Sequence, residues 1–474
     1  MGQTSISVKR LRLPALPAVR TFDRLQLLTL IASLYFFQAW GLLPDSQISD
    51  PARFVMIALS VTGVVAPWLT AVLLINASAF ALVYIAGSPI ASNNQLTGFF
   101  VSLVVLAGAA YAMRRRTSEG FHEDLFAAIA GPGRWLLAVM YFFGIYHKLN
   151  ADFLNPDVSC AVVLYDRLAL GWGLSGWNVG HYSAIWATFV IEVIAMVALF
   201  VPRWKRFGML IGVPFHIIIG WTGYAYYKDF STVVLLMYAM FLPREAVTAA
   251  VAAFAEKLGA QRAAQYARIA LLAFVAIYVL AIGAAFDPMR LRPSHEGFFI
   301  AFTIYAVAFY AFVVAFVPWR SASGELPLFA RPAWLMAIPG LFFLNGLSPY
   351  LGLKTESSLA MYSNLHTEAG QTNHYVTGLL PFAFGYQNDI VRPISSNSPA
   401  FDAVHVGQGK ALVRYEFDRI LAQSPTLKVT FEHQGAVRTN DAAWRNAYLA
   451  ASPLEKKFLL FKPIDFNRPK VCTH

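Results

Sequence analysis

Charge is what this 474-residue chain has least of: 13% of its residues are Asp, Glu, Lys or Arg, against about 25% in an average soluble domain. So few charged groups cannot cover a 52.4 kDa globule with solvated side chains. A disordered chain is excluded too, because 57% hydrophobic residues is the reverse of the composition that keeps a chain unfolded. Cysteine is nearly absent. Cys160 and Cys472 are the whole complement, which leaves no disulfide framework and no CxxC metal or redox motif. HExxH, GxSxG and P-loop sequences are missing, as are internal repeats and low-complexity tracts. Gly171–Gly176 (GWGLSG) fits GxGxxG, but no strand precedes it, so it is not a dinucleotide fingerprint. Asn76-Ala-Ser fits a glycosylation acceptor but falls inside an apolar run. His366 and His374 are eight residues apart without Cys or carboxylate partners at ligand spacing, so no metal is expected.

Long apolar stretches are what the chain has instead. They occur near 25–43, 54–86, 97–113, 134–153, 183–201, 207–224, 230–242, 269–286, 298–317 and 333–347. A spanning helix needs about 20 such residues. As one helix, 54–86 would be about 50 Å long, and Ala66-Pro67 breaks it in two. With eleven spans, the basic arm (Lys9, Arg10, Arg12, Arg20, Arg24) and Arg114–Arg116 fall on one side. The inside segments then hold 18 Lys and Arg, the outside loops five. The net charge of +11 is therefore an orientation signal, with the N-terminus cytoplasmic and the C-terminus outside, and nucleic acid drops out as a partner.

The first stretch, about 18 residues long, exceeds the 7–15 of a signal peptide's apolar region and reads as a retained anchor. Residues 246–268 read as an amphipathic helix on the cytoplasmic membrane surface. From Ser348 the long apolar runs stop. Leu427–Glu432 (LKVTFE) and Phe458–Lys462 (FLLFK) have strand character, and Ala411–Ala422 reads as helix or strand. The expected fold is an all-α polytopic membrane bundle of about 9–11 transmembrane helices with a small C-terminal α+β extramembrane domain. Its expected parts are a basic arm (1–24), a first transmembrane domain (25–245), the amphipathic helix plus three more spans (246–347) and an outer-face domain (348–474).

Ionisable groups inside a span cost about 2.5–3.5 kcal/mol each on insertion scales and mark functional candidates. Glu192 sits mid-way along ATFVIEVIAMVALF. His216 follows Pro214 in MLIGVPFHIIIGW. Lys148, preceded by His147, lies near the outer end of MYFFGIYHKLNADF. Structural readings compete: Lys148 snorkels to the interface, His216 is a neutral core histidine, or Glu192 belongs to a structural ion pair. Glu192 is about 13 Å below the outer end of its helix, and Lys148 about 7 Å if its helix runs to Phe153. A lysine in an apolar pocket becomes a usable base, while a neighbouring carboxylate opposes that.

Val139–Phe153 (VMYFFGIYHKLNADF) resembles the segment of vitamin K-dependent γ-glutamyl carboxylase that carries its catalytic lysine, a segment shared with bacterial HTTM (horizontally transferred transmembrane) proteins. Glu192, the basic turn Arg203/Lys205/Arg206, Pro214-Phe-His216 and Lys228-Asp-Phe230 follow in the family's order, so the resemblance covers about residues 20–245. Ser348–Glu368 also resembles the stretch after the last helix of bacterial relatives. The resemblance implies a bacterial cytoplasmic-membrane protein whose site residues are Lys148, as the base, with His216, Glu192 and His147. It implies a reduced naphthoquinone or other quinol as cofactor and a peptide or protein substrate at the outer domain. The family's His- and Asp-containing motif tied to carboxylation has no counterpart in SLVVLAGAAYAMRRR, so quinol-linked oxygen chemistry is implied more directly than glutamate carboxylation. The alternative is a non-enzymatic HTTM protein: a receptor, maturation partner or carrier. Both cysteines fall outside, where a disulfide can form, although Cys472 lies in the flexible C-terminus.

Overall fold

The computed structural model describes residues 22–115, 120–222, 225–259, 298–320, 332–378, 384–466 and 469–472, with short pieces between 260 and 297 and at 328, 329 and 380. Most of the basic arm and most of the expected span 269–286 lie outside the described residues. The chain is mostly helical: α1 (Arg24–Leu42), α2 (Asp50–Val65), α3 (Thr70–Gly87), α4 (Asn93–Arg115), α5 (Phe121–Tyr146), α6 (Ala151–Leu154), α7 (Cys160–Ala169), α8 (Asn178–Phe200), α9 (Lys205–Gly220), α10 (Ala225–Ala239) and α11 (Arg244–Leu258). Two further apolar helices are His295–Phe316 and Ala337–Gly346.

Local chemistry explains the main boundaries. Asp23 and Gln26 form a capping box that starts α1, and the Ala66-Pro67 break separates α2 from α3 as expected. Asn76 is a core hub: Trp40 Nε1 and Ser60 Oγ each donate to its Oδ1 at 3.0 Å, joining α1, α2 and α3. α5 departs from the expectation of a span starting at 134. It begins at Phe121, with Glu123 and Asp124 in its first turn, where acids favour the helix dipole. Pro132 is tolerated inside it, and Arg134 is buried with its Nε donating to the Met240 carbonyl at 2.9 Å.

Arg24 Nη2 meets Glu123 Oε2 at 2.6 Å, and His122 Nδ1 meets Asp23 Oδ2 at 2.7 Å. These contacts place the starts of α1 and α5 at one end of the bundle. The C-terminal region occupies the other end, where Lys457 Nζ donates to the Ala86 carbonyl at 2.6 Å.

Among the described residues, six helices are long and apolar enough to cross a membrane, or seven if α10 and α11, bent by 97°, count as one span. That is fewer than the 9–11 expected. α2 and α9 reach only 16 residues each, and Ala337–Gly346 only ten. Outward faces are apolar, with Leu82, Trp186, Val190 and Val307 exposed, which suits an apolar surrounding better than water. α11 buries Ala246, Val247 and Ala250 and exposes Glu256 and Lys257, an amphipathic arrangement.

Residues 390–439 hold a four-stranded antiparallel sheet in the spatial order Leu412–Val413, Ile390–Ser396, Val429–His433, Ala436–Thr439. Its core packs Val391, Phe417, Leu421, Phe431 and Trp444. The tight turn joining the last two strands places Gln434 and Gly435 at φ of 51° and 75°, the positive values that a two-residue hairpin demands. LKVTFE is a strand, as expected, and Ala411–Ala422 turns out to be both: Leu412–Val413 pairs in the sheet before the helix Arg414–Gln423 begins. FLLFK is not a strand. The capping box of Ser452 and Glu455 starts a helix that runs through Phe458; beyond it the Leu460 carbonyl accepts from the backbone N–H groups of Thr355 and Glu356, and Ile464 forms a single bridge with Ala411.

Candidate functional site

α5 stops at Tyr146, and Lys148 lies in the turn beyond it, its N–H bonded to the Ile145 carbonyl at 3.1 Å. A helix reaching Phe153 is therefore corrected, and with it the 7 Å depth. Asn150 fixes the turn, donating Nδ2 to the carbonyls of His147 (2.7 Å) and Ser363 (2.6 Å) while its Oδ1 caps α6.

The turn delivers Lys148 to Glu192 on α8: Nζ donates to Oε1 at 2.6 Å, with both side chains 9% exposed. Glu192 Oε2 has no hydrogen-bond partner among the described residues. Gly144, four residues before Lys148, borders that oxygen, and an added Cβ would stand at an ordinary contact distance of 3.6 Å from it. Both charges line a cavity of about 250 Å³ whose walls include Met140, Ile191, Phe215 and Phe230, closed on one side by Leu359, Met361 and Tyr362 from the C-terminal region.

His216 enters the same cavity from α9. Its Nε2 is 2.9 Å from the Tyr141 hydroxyl, which is 2.7 Å from that of Tyr238. Whichever way the Tyr141 hydroxyl turns, Nδ1 of His216 remains without a partner among the described residues. Gly212 admits this chain: a Cβ there would lie 1.7 Å from the Tyr238 hydroxyl. Gly212→Val should displace Tyr238, lower stability by about 1–3 kcal/mol and uncouple His216. Thermal unfolding in detergent checks this, and a wild-type transition would refute the packing.

His147 stands apart from the cavity. It is fully buried, with Nδ1 and Nε2 each 3.2 Å from a carbonyl, of Leu359 and Gly346 respectively. That arrangement anchors the segment carrying Leu359 rather than touching the cavity's contents. His374 has a similar task, with Nε2 2.8 Å from the Tyr146 carbonyl and Nδ1 accepting from the backbone of Val376 and Thr377. Burial lowers its pKa, and the bond to Tyr146 opposes the shift.

The wall segment is unusual in its backbone. Ser357, Leu359, Tyr362 and Asn364 all have φ between 49° and 63°, a left-handed conformation that non-glycine residues adopt at a cost and that clusters at functional sites. Asn345 Nδ2 holds the Ser357 carbonyl at 3.0 Å, and Asn364 Oδ1 accepts from Cys160 N at 2.9 Å. Cys160 and Cys472 are disulfide-bonded, so the position of Cys472 near the chain end does not prevent pairing.

Lys148, Glu192 and His216 are thus brought together; His147 is not among the lining residues. Tyr141 and Gly144 were missed, although their spacing of three residues puts them on one face of the helix that leads to Lys148. Tyr238 and Tyr362 arrive from distant segments and carry no local signal. No family model, curated protein or solved structure matches this chain. Fold and site define the class on their own: a mostly helical protein, with apolar helices compatible with several membrane crossings, built around a lysine–carboxylate pair in an apolar cavity.

Proposed function

We propose that the chain is a multi-pass enzyme of the bacterial cytoplasmic membrane, resembling vitamin K-dependent carboxylase and HTTM proteins, with its N-terminus cytoplasmic and its C-terminal domain outside. Lys148 acts as the base on a quinol or similar lipid-soluble substrate. One observation carries the reading: the 2.6 Å Lys148–Glu192 contact at the wall of an apolar cavity. A structural pair gains little from lining a space large enough for a ligand. Glu192 Oε2 and His216 Nδ1, both unpartnered among the described residues, suit a flat, mainly apolar head that carries hydroxyl groups at its edge.

Such a quinol would supply an oxygen-reactive reduced ring. The chain's own residues hold and move protons. For Lys148 to accept one, the proton it shares with Glu192 must rest on the carboxylate, leaving a lone pair on Nζ at the cavity wall. Glu192 is then the store for the proton, and His216, held by Tyr141, is a second polar contact for the head. Glutamate carboxylation at the outer domain is the extension that the family resemblance offers.

Mass spectrometry of lipids co-purified with the protein tests the substrate class. A bound quinone is the expected result, and phospholipid alone would overturn it. The closed ion pair itself favours a second reading, in which Lys148 is permanently charged and the chain is a receptor, maturation partner or carrier without turnover. Quinol-dependent oxygen uptake that disappears in Lys148→Ala, with folding retained, separates the two.

A further inference from the structure

A cleft of about 600 Å³ opens on the C-terminal domain, away from Lys148, between the helices Arg414–Gln423 and Ala442–Ala450 and the segment around Tyr386. Three of its lining rings form a continuous aromatic array: Tyr386 and Tyr415 have centroids 6.0 Å apart, Tyr415 and Tyr448 5.5 Å apart, each pair edge to face. Three carboxylates, Asp389, Asp418 and Glu455, line it against one guanidinium, Arg414.

Most of these charges are already engaged. Asp389 Oδ1 meets His433 Nε2 at 2.6 Å, and Glu455 accepts from the Tyr386 hydroxyl at 2.7 Å. Arg414 lies over the Trp444 ring at 4.7 Å and faces Asp389 at 3.4 Å and Asp418 Oδ2 at 3.6 Å. Asp418 is engaged through Oδ2 alone. It is 4% exposed, yet its Oδ1 has no hydrogen-bond partner among the described residues, and neither has the Tyr415 hydroxyl. Buried acceptors of this kind are normally satisfied. Burial also pushes the Asp418 carboxyl up to about 7, with Arg414 opposing and Asp389 adding to the rise.

We infer that this cleft binds an organic cation, an ammonium or guanidinium group, whose N–H donors satisfy Asp418 and whose charge faces the tyrosine rings. Carboxylates reject an anion. An apolar group would leave Asp418 Oδ1 and the Tyr415 hydroxyl unpaired, whereas a cation gains a charge-assisted hydrogen bond and cation–π contact together. The inference is independent of the chemistry proposed for Lys148.

Calorimetry on the full chain in a maltoside detergent tests it with two probes, free arginine methyl ester and a capped arginine tripeptide, and with the citrulline tripeptide as a neutral control. Binding of a cationic probe is expected, weakened about tenfold or more by Asp418→Asn and unchanged by Lys148→Ala. Tighter binding of the tripeptide identifies a polypeptide side chain as the source, and equal binding a free amine; both support the site. Absence of binding by either cation, equal binding of the citrulline control, or an Asp418→Asn variant that binds like wild type would overturn it.

Discussion

Glu192→Ala is expected to be among the most damaging single substitutions in this chain, at a cost of about 3–5 kcal/mol, because it strands the Lys148 ammonium in an apolar cavity. Lys148→Met leaves the carboxylate stranded instead. The double variant, Lys148→Met with Glu192→Ala, should lose far less stability than the two single losses sum to, while quinol-dependent oxygen uptake stays absent. Unfolding in detergent and oxygen consumption, measured on all three variants, separate stability from chemistry. The coupling energy is the informative quantity. If the two single losses simply add in the double variant, the charges are not partners and the proposed proton store at Glu192 fails. If the double variant keeps turnover, Lys148 is not the base.

The pair was half legible in the sequence. A lysine and a carboxylate placed where insertion is costly had to be explained, and their placement near one end of the bundle made a meeting plausible. The turn that delivers Lys148 was not legible, because Leu149, Ala151 and Phe153 extend the apolar pattern of MYFFGIYHKLNADF beyond the point where α5 stops at Tyr146. What ends the helix is Asn150 bonding back to the His147 carbonyl and across to Ser363, and the second partner lies 213 residues away. The start of α5 was misplaced for the opposite reason. Pro132 and Arg134 look like a boundary, yet Arg134 finds the Met240 carbonyl inside the bundle. Hydropathy reports where apolar side chains are, but not which buried polar group has a distant partner. The same gap hid the cavity's outer wall, since Leu359, Met361 and Tyr362 belong to a stretch whose composition suggested only the start of an outer domain.

Cys160→Ser with Cys472→Ser should lower stability by about 2–5 kcal/mol, the largest effect expected from any change outside the ion pair. The bond spans 312 residues of sequence, so the unfolded chain loses much freedom when it is closed. Its removal should also reach the cavity. Cys160 begins α7, donates its backbone N–H to Asn364 Oδ1, and packs with Phe153 and Ile185, while Tyr362 and Cys472 lie against the same cluster. Loosening the chain end there frees the strained segment that forms the cavity wall, so substrate turnover should fall together with stability. A thiol count on denatured, unreduced protein gives the first check: none is expected, and two would remove the bond and the argument with it. The result bears on orientation too. Disulfides persist in oxidising compartments, and Cys160 and Cys472 lie at the end of the bundle opposite the Arg24–Glu123 contact. The charge count put that end outside the cytoplasm for an unrelated electrostatic reason. Both cysteines found reduced in protein from intact cells would set the two arguments against each other, and the proposed orientation would have to be reversed.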